Sequence, residues 1–149
     1  MGLDMYLRRE HYIHTEPGYK VVVKKPDNKV IKRVIIKNAE FGLRILEPVG
    51  YWRKANAIHQ YLLGCAGADA DAQEVWVYGH QLKTLKEDCE TVLKDHSKAK
   101  ELLPTCEGFF FGSTEYDDYY FEQLQKTIDI IDEIDDIADY ELFQYCPSW

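Results

Sequence analysis

Long apolar runs, a CxxC pair and a glycine-rich phosphate signature are all missing from this sequence of 149 residues. Each absence removes a class of function. No stretch approaches the roughly 20 apolar residues that a membrane-spanning helix needs, so a membrane protein is not expected. The opening residues "MGLDMYLRRE" place acid and base too early for a secretory signal, which favours a cytoplasmic protein. Met-Gly also begins a myristoylation motif, but Tyr6 stands where that motif has Ser or Thr. The cysteines Cys65, Cys89, Cys106 and Cys146 lie far apart. That spacing argues against a zinc ribbon or a dithiol redox motif and leaves buried, reduced thiols as the expectation. Neither GK[ST] nor GxGxxG occurs, so neither standard phosphate loop is available.

Positive charge is scarce where negative charge gathers. Residues 115–141 hold eleven acids and Lys126 alone, whereas residues 1–60 hold twelve Lys or Arg against six acids. The net charge of −8 makes general nucleic-acid binding unfavourable, because that binding draws its affinity from neutralised phosphates. A polarised chain of this kind fits a basic sheet beside an acidic helix, or a functional division in which the acidic half meets a basic protein.

What is present fits one α+β domain over residues 1–149, with a mainly antiparallel sheet and about three helices, the last long and acidic. "LDMYLRR" alternates Leu3, Met5 and Leu7 against Asp4, Tyr6 and Arg8, the period of an internal strand. "YKVVVKK" and "KVIKRVIIKN", joined by "PDN", predict a hairpin over about 19–38. Tyr51, Ala55, Ile58 and Leu62 then recur at helical spacing, predicting a helix from near 50 to Gly64. "GCAGADADAQ" reads as a loop, "EVWVYG" as a short strand, and 80–97 as a helix with Leu82, Leu85, Cys89, Val92 and Leu93 inward. "GFFFGS" reads as a short apolar strand or extended piece. Thr114 is the expected N-cap of a last helix reaching about 138, and the tail "ELFQYCPSW" is apolar enough to dock on the body or on a second chain.

Polar side chains crowd the predicted helix at 51–62. Trp52, Asn56 and His59 fall at i, i+4 and i+7, with Arg53 and Lys54 beside them. An indole can stack on a ring, Asn can bond a base edge or sugar, and Arg with Lys can hold phosphate near a helix N-terminus. A second cluster, "GFFFGSTEYDDYYF", brings Ser113 and Tyr116 to another helix start. Together they predict a binding site for a phosphorylated, nucleotide-like small molecule. Trp52 and Tyr116 would stack on it, Arg53, Lys54 and Ser113 would hold phosphate, and Asn56 with His59 would orient it.

Catalysis has less support. His59 would be the general base of a phosphodiesterase-type hydrolase, yet no nucleophile stands beside it in the sequence. Neither His11, His14 and Glu16 nor the row Asp129, Asp132, Glu133 and Asp136 has a strong metal-ligand spacing, so no metal and no cofactor are expected. An acidic helix at 115–139 that blocks a host protein, imitating nucleic acid, is a third reading.

The blocks "MGLDMYL", "YWRKANAIHQYL" and "LLPTCEGFFFGSTEYDDYYFEQLQKTI" together resemble a family of small, functionally uncharacterised proteins of bacteria and of their phages and prophages. The resemblance covers about a third of the chain and carries no catalytic residues with it. It implies a cytoplasmic, phage-associated protein, acting in the host cytoplasm where it is phage-encoded. In that setting, counter-defence by sequestering an immune signal or by blocking a host defence protein is expected, with the protein working as a homo-oligomer.

Overall fold

The computed structural model describes residues 2–14, 20–24, 30–35 and 42–149. Two compact units divide the chain, one formed by residues 1–10 with 46–149 and the other by 11–45.

The larger unit is built on a four-stranded sheet. Its strands, in the order β4-β1-β6-β5, are β1 (Asp4–Ile13) and β4 (Leu43–Arg53), of which residues 11–13 and 43–45 count with the smaller unit, together with β5 (Val75–Tyr78) and β6 (Leu142–Ser148). β6 is antiparallel to both neighbours, with Met5 opposite Pro147, Leu7 opposite Tyr145, and Val75 also opposite Tyr145. Alternation sets the faces. Leu3, Met5, Leu7, Trp52, Val75, Val77, Phe143 and Tyr145 point inward and are buried. Tyr6, Tyr51 and Arg8 point the other way, where Tyr51 Oη donates to Asp4 at 2.6 Å and Arg8 donates to Gln144 Oε1 at 3.1 Å. The apolar tail of the sequence thus docks as an internal strand of the sheet.

Three longer helices complete the core: α1 (Asn56–Ala66), α2 (Gly79–Lys94) and, after the short α3 (Ala99–Leu102), α4 (Asp118–Asp132). Ile58 and Leu62 of α1, Leu82, Leu85, Cys89 and Val92 of α2, and Leu124, Ile128 and Ile131 of α4 share one buried cluster with the inner sheet residues. Gly79, the first residue of α2, has no room for a side chain, since a Cβ would stand 2.0 Å from the Ala138 oxygen. The chain is α+β, as its pattern predicts. Among the described residues, no helix is long and apolar enough to cross a membrane.

The smaller unit contains the antiparallel pair β2 (Lys20–Lys24) and β3 (Val30–Ile35), in register from Lys20 opposite Ile35 to Val23 opposite Lys32. This is the predicted hairpin. Its "PDN" connection lies outside the described residues.

Three boundaries differ from expectation. Residues 51–53 belong to β4, and α1 starts only at Asn56. Tyr51 and Trp52 therefore alternate across a sheet, and the helical spacing of Tyr51 with Ala55 is coincidental. "GFFFGS" forms a turn closed by Phe111 N–H to the Gly108 carbonyl, with Phe111 buried and Phe109 exposed. α4 is capped by Asp117, whose Oδ1 accepts from Tyr120 N–H at 3.0 Å, and not by Thr114. It ends at Asp132, short of 138, because Arg9 on β1 donates to the Asp135 carbonyl while pairing with Glu141, which holds 135–141 out of helical geometry. The four carboxylates expected on one face of this helix are consequently split between the helix and the turn after it.

Candidate functional site

Where β4 meets α1 the chain reverses over Lys54 and Ala55. Lys54 has φ +54°, a left-handed conformation that non-glycine residues seldom adopt and that costs about 1 kcal/mol or more. Packing holds it there. Its N–H donates to the Leu3 carbonyl at 2.7 Å, and its side chain lies between two glycines. A Cβ on Gly2 would stand 2.7 Å from Lys54 Cε, and one on Gly112 would stand 3.1 Å from Lys54 Cβ.

The segment 105–113 closes over this corner. Phe110 accepts from Leu3 N–H at 3.0 Å, and Asn56 Nδ2 donates to the Ser113 carbonyl at 2.6 Å. The Asn56 carbonyl in turn accepts from the Cys106 thiol, and Tyr119 Oη donates to the Arg53 carbonyl. Leu3, Lys54 with Asn56, and Phe110 with Ser113 lie on the three sequence blocks quoted above. Hydrogen bonds between them join all three blocks at one place.

A narrow cleft with about 20 Å³ of free space, room for about one water, opens at this junction, lined by Lys54, Asn56, Ser113, Glu115, Tyr119 and Gln123 among others. No side chain caps the N-terminus of α1, and no acid lies in its first turn. Its first N–H groups leave a partial positive charge at the cleft, whose lining includes Lys54, a residue with no ion pair among the described residues. Glu115 and Asp117 also line the cleft and bring negative charge to it. Gln123 adds a fully enclosed Oε1 without a hydrogen-bond partner.

Three of the sequence-predicted residues, Lys54, Asn56 and Ser113, line this cleft together. The other four do not. Trp52 is wholly buried, with its indole N–H donated to Thr127 Oγ1 at 2.9 Å, so it supports the core and has no face free for stacking. Arg53 projects outward from β4 with its side chain exposed, beyond the cleft lining. Tyr116 packs on Tyr120 and accepts from Thr105 N–H. His59 lies deeper along α1, 1% exposed, with Nδ1 2.7 Å from Tyr145 Oη.

Tyr119 and Gln123 were not legible as site residues. They follow one another at i and i+4 on α4, a spacing also shared by residues that merely pack, and only the fold brings them over α1.

Compared with protein-family models, curated proteins and solved structures, the chain matches none of them significantly. Its site is thus read from geometry alone. Burial pushes the His59 imidazole down to about 4, so the ring is neutral at physiological pH and a poor general base. Burial raises the Cys106 thiol, which keeps it protonated. Among the described residues, no three His, Cys, Asp or Glu side chains gather to hold a metal. Glu16, considered with His11 and His14, lies outside the described residues.

Proposed function

We propose that the protein binds, without transforming it, a phosphorylated nucleotide-like small molecule in the cleft between the start of α1 and the start of α4. The observation that carries this reading is the meeting of an uncapped helix N-terminus, Lys54 and the Asn56–Ser113 pair in the lining of one cleft. An anionic group placed there meets backbone N–H donors, the positive end of the helix and a cation together. A ring would lie along Tyr119, where the acidic side chains of Glu115 and Asp117 favour an amino or hydroxyl donor. The reading departs from the sequence-based assignment in its stacking partner: Tyr119 replaces Trp52 and Tyr116.

In the phage setting that the resemblance implies, such a protein acts as a sponge for an immune signal, and stoichiometric sequestration needs no catalytic base. The hydrolase alternative asks His59 to accept a proton, a role for which its low basicity is unsuited.

Native mass spectrometry of the protein purified from cells, followed by denaturation and identification of what is released, tests the reading. An intact phosphorylated compound is expected. With adenosine and guanosine monophosphates as probes, Lys54→Gln should weaken binding about ten- to a hundredfold, the range for loss of one charge-assisted hydrogen bond. Equal affinity in the folded variant would remove Lys54 from the site.

A further inference from the structure

A second cleft, of about 290 Å³, lies further along α1. It is lined by His59, Gln60, Leu63, Gly64, Ala68, Ala70, Cys106, Glu107 and Phe111, none of which lines the Lys54 cleft. Most of its wall is apolar. Its one deeply buried polar side chain is His59, whose Nε2 is enclosed and has no hydrogen-bond partner.

The protonation of that nitrogen follows from its neighbour. Tyr145 Oη is inside the core, and its only hydrogen bond among the described residues is to His59 Nδ1. A buried hydroxyl without another acceptor gives its proton to the one available. Tyr145 is therefore the donor and Nδ1 the acceptor, which places the proton of the neutral imidazole on Nε2. The ring edge turned away from Tyr145 then carries an N–H at the wall of the cleft, enclosed and without an acceptor. Phe111 stands edge-on to the imidazole with centroids 4.7 Å apart, and Trp149 closes from another side at 6.2 Å. Glu107 is exposed and brings a carboxylate to the same cleft.

We propose that this cleft is a binding site for a neutral, planar N-heterocycle that carries a hydrogen-bond acceptor next to an amino group, as adenine and cytosine do. The acceptor takes the His59 Nε2 proton, the amino group donates to Glu107, and the ring lies against Leu63 and Phe111. An anion is disfavoured because His59 is uncharged and Glu107 repels it. A purely apolar ligand leaves the buried N–H unsatisfied, at a cost comparable to a lost hydrogen bond. The site is independent of the Lys54 cleft and does not rest on the function proposed there.

The test is NMR observation of the His59 ring nitrogens in the full chain during titration with adenine and, separately, cytosine. Both bases should shift the Nε2 resonance and its attached proton, and unsubstituted pyrimidine, which keeps a ring acceptor but has no N–H donor, should bind at least several-fold more weakly. Gly64→Trp places a large side chain at the cleft where a Cβ meets no atom within 4 Å, so it should abolish the shift without disturbing the fold. Glu107→Gln should weaken both bases about tenfold, the loss expected for one charge-assisted hydrogen bond. An Nε2 that carries no proton would overturn the proposal. So would a ring that does not respond to either base at millimolar concentration, or a response that survives Gly64→Trp.

Discussion

Lowering the pH from about 7 to about 5 should destabilise the protein by about 2 kcal/mol through His59 alone. In the unfolded chain the imidazole titrates near its ordinary value of 6.5, while in the fold burial holds it down to about 4. Between those values the unfolded chain binds a proton that the folded chain refuses, so stability rises with pH across this window and is lost as pH falls through it. The contribution is fully present above about 6.5. Asp88 acts with the opposite sign, since burial raises its carboxyl and its protonated form suits the fold, but it does so lower, in the carboxylate range. Urea unfolding at a series of pH values measures the slope, and His59→Gln, which can still bond Tyr145, should flatten it between pH 5 and 7. A slope unchanged in that variant would assign the effect to another group.

Trp52→Ala should cost about 3–5 kcal/mol, the range for emptying a large aromatic from a packed core. The indole is fully enclosed between Gly50 and α4, where a Cβ on Gly50 would already stand 3.2 Å from its ring. Its N–H is satisfied by Thr127 Oγ1, which itself donates to the Gln123 carbonyl at 2.7 Å. Thr127→Val keeps the shape but strands that N–H, so about 1–3 kcal/mol should be lost there as well. Chemical denaturation of both variants gives these values, and Trp52→Phe should leave nucleotide affinity unchanged. A small stability loss in Trp52→Ala together with weakened nucleotide binding would return the indole to the ligand site.

The fate of Trp52 illustrates what the sequence can convey about this fold. Period-2 alternation was readable in β1, because Leu3, Met5 and Leu7 have Asp4 and Tyr6 between them. Period-3.6 spacing was readable in α2, whose inward row is mostly correct, with Leu93 only half-buried. The strand-to-helix corner was not readable. Tyr51 and Trp52 fit either period, and the reversal at Lys54 uses a left-handed residue that is neither Gly nor Asn, held there by contacts with Leu3, Gly2 and Gly112. No local signal records those contacts. The end of α4 was hidden for the same reason, since it is set by Arg9, more than a hundred residues away along the chain.

The site was legible to a similar depth. That Lys54, Asn56 and Ser113 would share one cleft could be anticipated from polar residues gathered next to helix starts. Its aromatic wall could not, because the chain holds eleven Tyr and composition does not say which one faces a ligand. Cys89 alone of the four cysteines is fully buried; Cys65, Cys106 and Cys146 are half-buried.

The position of β6 also governs how the molecule reaches this state. Its partners are residues 4–9 on one side and 75–78 on the other, so the middle of the sheet forms only when the two ends of the sequence find each other. Closing so long a loop is entropically costly before any contact compensates for it, and no hairpin of neighbouring strands can nucleate this sheet. Refolding is therefore expected on the millisecond-to-second scale of non-local topologies, with α2, which follows β5 directly, organised before the sheet is complete.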